Sequence, residues 1–290
     1  MIVKIPLHVS GFWVPIIKKD YILSGSLGAG IMLSPYCVIR EASKKTSAGS
    51  SVLSRGANIV SAVANYLGLK PEINIELLAN VGLGEGFGLS AALALGYAIH
   101  LLKKKQGTVS LVEAGKAAHF AEVFNMTGLG DVIAEVLGRG LTVRVRPGPP
   151  GIGEVDCVLI NERVKVTTVH LGRRLFTPQM LRQYYSKIVE AGWAAYSGFL
   201  KDYSIYSFLS KAYEFSRAVG FLDPKLDEEL RNQLKNYVSN GSVLGYFVKK
   251  SLLVIIHSPS CSEELKSTLS NYGVVRVFEP ASSSLTIEYQ

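Results

Sequence analysis

Residues 82–92 read Gly82-Leu-Gly-Glu-Gly-Phe-Gly-Leu-Ser-Ala-Ala92, four glycines at alternate positions that run straight into a helix-forming segment. Gly82, Gly84, Gly86 and Gly88 open backbone conformations closed to other residues and let main-chain N–H groups approach a ligand. Ser90 falls at an N-cap or first-turn position, and Ala91 to Lys104 continue as good helix formers. Upstream, Ile73 to Leu78 alternates as a strand after Leu69-Lys70-Pro71. Strand, glycine loop, helix is the order of a phosphate cradle, because free N–H groups at the positive end of a helix attract anions. The plainer alternative is a glycine-rich turn ahead of a buried helix.

Spacing excludes two common nucleotide loops. A P-loop needs Gly-x-x-x-x-Gly-Lys-Ser/Thr, and no lysine lies between Lys70 and Lys103. The strict dinucleotide fingerprint Gly-x-Gly-x-x-Gly would need glycine at 87, 89 or 91, where the chain has Phe87, Leu89 and Ala91. Composition narrows the class further. At 290 residues, with 48% hydrophobic and 19% charged side chains, the chain is expected to form a soluble, two-lobed globular protein. Its longest apolar runs, such as Leu252 to Ile256, fall far short of a membrane span, and Met1 to His8 lacks the pattern of a signal peptide. A cytoplasmic location without a membrane partner is the expectation. Cys37, Cys157 and Cys261 are odd in number and in no metal-ligand spacing, so they read as small hydrophobes.

The net charge of +8 invites a nucleic-acid reading, but its distribution argues otherwise. Residues 1–150 hold 15 Lys and Arg against 9 Asp and Glu, while the remainder hold 16 against 14, so the excess sits with the glycine loop. Such a field suits small anionic substrates. The densest basic run, Lys103-Lys104-Lys105, is more simply the last turn of a helix.

Along the chain, Val3 to Val9 reads as a strand, Ser10-Gly11 as a turn, and Ser24-Gly-Ser-Leu-Gly-Ala-Gly30 as a second glycine loop or hairpin turn. Residues 52–67 have helical apolar spacing, and Ser110 to Phe124 forms a helix opened by the capping box Ser110-x-x-Glu113. His119 and Glu122 share a face of that helix. The bend Thr127-Gly-Leu-Gly130 then leads to Asp131 and could bring Glu122 and Asp131 to one site, one for a hard cation and one for a proton. Both acids also fit ordinary roles, as a solvated charge and a helix cap. Residues 141–160 read as a hairpin that places Arg144 and Arg146 on one strand face, either as a carboxylate clamp or as a solvated sheet face. From Arg163 the pattern becomes a second α+β lobe, with helices near 178–199, 204–219, 224–237 and 261–271 among short strands. The division expected is therefore 1–162 and 163–290.

Four stretches carry a resemblance: His8 to Trp13 with Ser24 to Gly30, Gly84 to Ser90, Ala118 to Asp131, and Arg144 to Asp156. In combination they resemble the archaeal-type pantoate kinases of the GHMP small-molecule kinase superfamily. Within the loop, Gly86-Phe-Gly-Leu-Ser-Ala-Ala92 is similar to that superfamily's Gly-Leu-Gly-Ser-Ser-Ala-Ala, with Gly82 where proline is usual and Leu89 where the first serine is usual. The resemblance implies an α+β two-lobe fold, the first lobe like ribosomal protein S5 domain 2 and the second ferredoxin-like. It implies ATP-dependent phosphorylation of the primary hydroxyl of pantoate on the route to coenzyme A, with ATP and Mg²⁺. It places Gly84, Gly86, Phe87, Gly88 and Ser90 at the nucleotide, Ser90 and Glu122 at the metal, Asp131 at the catalytic position, and Ser26, His119 and Arg144 at the substrate. The alternatives are a GHMP kinase for mevalonate, homoserine or a sugar, a serine hydrolase built on Gly88-Leu-Ser90, and an RNA-binding S5-like lobe. Oligomeric state stays open, a homodimer included.

Overall fold

The computed structural model describes residues 1–42, 58–160, 162–172 and 177–289. Its frame is a long antiparallel pair, β1 (Ile2–Ile16) and β2 (Gly25–Glu41), joined through a short 3₁₀ turn that the Asp20 side chain caps at Ile22 N–H. Nearly every residue of β1 is buried, because its apolar residues point alternately to both faces and both faces are covered. The turn read at Ser10-Gly11 is instead a register shift inside β1. Strands bend without ending at such a bulge, and a Cβ on Gly11 would stand 2.7 Å from the Phe208 ring. The second glycine loop is likewise strand: Gly25 to Gly30 lies within β2 and pairs with Ile16 to Ser10 on one edge, while Gly28 to Gly30 pairs with Arg144 to Thr142 on the other.

Around this pair stand β3 (Ile75–Leu78) and β4 (Leu141–Arg146) on β2, β5 (Glu154–Val158) on β4, and β10 (Thr286–Glu288) on β1. A second antiparallel sheet has the order β7 (Val243–Lys249), β8 (Leu252–His257), β6 (Lys165–His170), β9 (Val274–Pro280). In chain order, with helices after β6 and after β8, it is the β-α-β-β-α-β arrangement of a ferredoxin-like lobe. β9 joins the sheets by pairing Pro280 and Glu279 with Leu33 and Ser34 of β2. The chain's last two strands thus both return to the first lobe, β9 on β2 and β10 on β1, across the division expected at 162.

Helix α1 covers residues 58–66; the earlier part of the helix expected from residue 52 lies outside the described residues. Helix α2 (Leu89–Gln106) is buried all round from Ala91 to Leu102, as its run of alanines and leucines requires, and it closes on a left-handed Gly107. Helix α3 (Leu111–Phe124) is capped by Ser110, whose hydroxyl accepts from Glu113 N–H at 3.3 Å, and α4 (Asp131–Leu137) follows the bend. Helices α5 (Thr177–Phe199) and α6 (Ile205–Val219) cover the far face of β1, where Phe12 meets Phe199 and Phe208, and Trp13 meets Phe215. Helices α7 (Pro224–Ser239) and α8 (Ser262–Leu269) complete the second lobe. Among the described residues no helix is long and apolar enough to cross a membrane.

Candidate active site

The glycine loop ends as the sequence predicts, against the N-terminus of α2. Gly84, Gly86 and Gly88 adopt φ of 85°, 99° and 77°, a region that costs any residue with a Cβ about 1 kcal/mol or more. The Gly86 carbonyl accepts from Lys249 Nζ and the Phe87 carbonyl from His8 N–H, each at 3.0 Å. The C=O and N–H of a trans peptide point in opposite directions, so these bonds turn the N–H groups of Phe87 and Gly88 away from Lys249 and β1. Among the described residues no partner engages the N–H groups of Gly86 to Ser90. The Phe87 side chain is buried against Phe278, ring centres 5.4 Å apart, so only its main chain faces a ligand. Ser90 lies in the first turn of α2.

The bend at Thr127 to Gly130 does draw the two acids together. A Cβ on Gly128 would collide with Glu122 Oε2 and lie 3.1 Å from Asp131 Oδ2. Glu122, buried on α3, accepts from Ser90 Oγ at 3.1 Å and from Thr127 Oγ1 at 2.6 Å. Asp131 opens α4, and its Oδ1 is 2.6 Å from His8 Nδ1. The two carboxyls are tuned apart. Burial, followed by the Asp131 charge, pushes Glu122 up to about 7 despite its hydrogen bonds. Burial would raise Asp131 too, but the Lys249 ammonium, the His8 hydrogen bond and Arg144 together hold it well below the usual carboxylate range. Asp131 is therefore an ionised acceptor at neutral pH.

His8 links that acceptor to Arg144. Burial pushes its imidazole down to about 4 against the pull of Asp131, so the ring is neutral. A neutral ring that donates from Nδ1 to Asp131 Oδ1 leaves Nε2 as an acceptor, and Arg144 Nη1 lies 3.3 Å from it. The glycines of β2 make this contact possible: a Cβ on Gly30 would strike His8 Nε2, and one on Gly28 would stand 2.9 Å from Arg144 Nη2. Arg144 is wholly buried, and its Nε has no partner among the described residues. Arg146, expected on the same face, is carried to solvent by a register shift in β4 and pairs with Glu154 at 2.7 Å.

Ser26, Asp131 and Arg144 line one cleft together with Ser10, Thr177, Lys249 and Lys250. Glu122 and Ser90 adjoin it through Thr127 and Gly128. His119 stands apart: it is buried, its Nε2 lies 2.9 Å from the Ser24 carbonyl, and burial pushes its imidazole down to about 4. It braces the start of β2, two residues from Ser26. Three cleft groups were assigned no role from the sequence, Thr127 in the bend and Lys249-Lys250 in a hairpin turn that reads as solvated, and nor was His8, buried behind Asp131 in an apolar strand. Glu135, one helical turn beyond Asp131, was also missed.

No protein-family model matches the chain. It is 34% identical over 287 aligned residues to the pantoate kinase of Thermococcus kodakarensis, covering 93% of this chain and 92% of that one. A solved structure described as a phosphotransferase related to the CoA biosynthesis pathway superposes with a TM-score of 0.79 at 27% identity, over 99% and 98% of the two chains. The mevalonate-3-kinase of Thermoplasma acidophilum, solved with mevalonate 3-phosphate and ADP, shares the fold at a TM-score of 0.60 and 13% identity, over 98% and 96%.

Proposed function

The chain belongs to the pantoate kinase family, a branch of the GHMP kinases, and on that footing we propose that the residues around Gly128 transfer the terminal phosphoryl group of ATP to the primary hydroxyl of pantoate. Phosphoryl transfer asks little covalent chemistry of a protein; it asks for position and charge. The open amides of Phe87 and Gly88, with the N-terminus of α2 behind them, suit the phosphates. Arg144 suits the substrate carboxylate, because its unpartnered Nε and planar fork match that group bidentately. Ser26 lies beside it: a Cβ on Gly130 would meet both Ser26 Oγ and Arg144 Nε.

The observation that carries the reading is the state of Asp131. His8 occupies its Oδ1, three cationic or donor groups keep it ionised, and its Oδ2 faces Gly128 and the cleft. That oxygen would take the proton of the substrate hydroxyl as the hydroxyl oxygen bonds to phosphorus. The neutral His8 fixes the carboxylate's orientation without competing for the proton.

Glu122 and Ser90 would hold a magnesium ion. The fit lies in the donors: two hard oxygens 3.1 Å apart, one from a buried carboxyl whose pKa is raised beside a second carboxylate, a setting that a cation relieves. When bound, the ion would neutralise charge on the phosphates. Among the described residues no three acidic, histidine or cysteine side chains gather as a metal cage, and phosphate and water would supply the ion's other ligands.

The test is ADP release measured against pantoate, pantothenate, mevalonate, homoserine and galactose, with wild type and Asp131→Asn. Turnover should be confined to pantoate, and Asp131→Asn should lower it by about 10³-fold with nucleotide affinity retained. Faster turnover of another alcohol would replace the substrate; near-normal turnover by Asp131→Asn would remove Asp131 from the reaction.

A further inference from the structure

The cleft holds more positive charge than its own acids balance. Arg144, Lys249 and Lys250 all reach it, while Asp131 is the acid there that is held ionised. Among the described residues neither lysine has a carboxylate within ion-pair distance. Lys249 Nζ donates to the Gly86 carbonyl at 3.0 Å and Lys250 Nζ to the Thr177 hydroxyl at 2.7 Å, both neutral acceptors. Buried ammonium groups are normally paired, so the buried Lys249 and the half-buried Lys250 beside it, both facing a cleft, point to an anion that arrives. The backbone adds a second observation. Lys250 sits at φ 59°, one of two residues other than glycine with positive φ among those described. A side chain kept in that region where glycine would be cheaper is a strained placement of the kind found at functional sites.

The lysines and Arg144 have different partners. Lys249 is tied to the phosphate loop through Gly86, and Lys250 reaches Thr177, whose hydroxyl donates to the carbonyl of Thr127 beside Glu122. Arg144 instead neighbours Ser26, Gly130 and His8. We propose that the Lys249-Lys250 turn of the second lobe is the cationic clamp on the phosphoryl group in transit, with Arg144 left for the substrate carboxylate. The inference rests on the kinase reading above. In the step, the substrate oxygen forms a bond to the terminal phosphorus and its proton passes to Asp131. The bond from phosphorus to the bridging oxygen breaks, and its electron pair leaves on ADP. The two ammonium groups hold the non-bridging oxygens throughout and exchange no atoms.

Full-length Lys249→Met, Lys250→Met and Lys250→Gly test this; the glycine variant removes the ammonium while suiting the positive φ. Measured are kcat, the pantoate KM, ATP and ADP affinities by calorimetry, and thermal stabilisation by ADP with aluminium fluoride. Each Lys250 variant should lose about 100-fold in kcat, the scale of one removed charge-stabilising donor. The pantoate KM and ADP affinity should stay within about 3-fold of wild type, since the lost contact is to neither. The preference for ATP over ADP and the stabilisation by ADP with aluminium fluoride should both fall, and Lys250→Gly should unfold at no lower temperature than wild type. Wild-type kcat in both Lys250 variants would overturn the clamp. So would equal losses of ATP and ADP affinity, or a raised pantoate KM with intact kcat. If wild type phosphorylates no pantoate, the substrate reading fails by itself, and ATP against ADP discrimination in the variants still decides the clamp.

Discussion

Glu135 is the group that the proposed chemistry leaves over. It is wholly buried, neither carboxyl oxygen has a partner among the described residues, and a Cβ on Gly88 would stand 2.5 Å from its Oε1. Burial first, then the nearby charges of Asp131 and Glu122, push its pKa well above the ordinary 4.5. In the folded protein it is therefore a neutral acid beneath the phosphate loop. The unfolded chain releases that proton above about pH 4.5, so the folded state is penalised increasingly as pH rises. His8 and His119 act with the opposite sign. Their folded values of about 4 lie below the unfolded 6.5, so they penalise the folded state as pH falls through that window. The opposing slopes overlap in the stability of wild type, and a difference between variants separates them. The melting temperature of Glu135→Gln minus that of wild type should grow more positive from pH 5 to pH 8. A difference constant across that range would mean that Glu135 titrates alike in the folded and unfolded chain.

The bend between α3 and α4 shows what a glycine does at the scale of an element. Gly128 needs no unusual φ; it is there because the two acids leave its Cβ no room. Gly128→Ala should displace Glu122 and Asp131 and lower kcat by about 100-fold, the cost typical of a misplacement near 1 Å. Gly107→Ala is the contrast: its φ of 72° strains alanine, but nothing lies within 4 Å. It should cost about 1 kcal/mol of stability and leave kcat unchanged. Equal kinetic effects of the two would show that the bend does not set the acids. The glycines of 82–88 and the acids nine residues apart were legible in the sequence, since spacing alone orders a loop before α2 and a bend after α3. Gly28 and Gly30 were not. They look like loop glycines, and they serve as strand glycines that admit His8 and Arg144, a demand set by side chains distant in sequence. The same holds for Arg144 and Arg146, whose shared face a bulge undoes, and for Lys249-Lys250, whose turn looks solvated until the lobes are assembled.

At the scale of the molecule, the order of helices and strands could be read along the chain, while the way the lobes share a core could not. β1 is apolar on both faces, and its second face is covered from outside the first 162 residues. Phe12 packs on Phe199 and Phe208, Trp13 on Phe215 and Phe221, and a Cβ on Gly192 would strike the Trp13 backbone. The edge of β1 at Ile2 to Lys4 is paired by β10, from the far end of the chain. A fragment ending at residue 162 would expose Phe12, Trp13 and Val14, each worth about 1.5–3 kcal/mol of burial, and free an apolar strand edge. That loss is comparable with the whole stability of an ordinary domain, about 5–15 kcal/mol. The fragment 1–162 should therefore show no cooperative thermal transition and should aggregate. Co-expression with 163–290 should restore a soluble complex, because the missing face and the missing strand then return together. A fragment that melts cooperatively alone would mean that the first lobe closes its own core. The phosphate loop and Asp131 would then be held without the second lobe, and the lysine turn at Lys249-Lys250 could move freely against them.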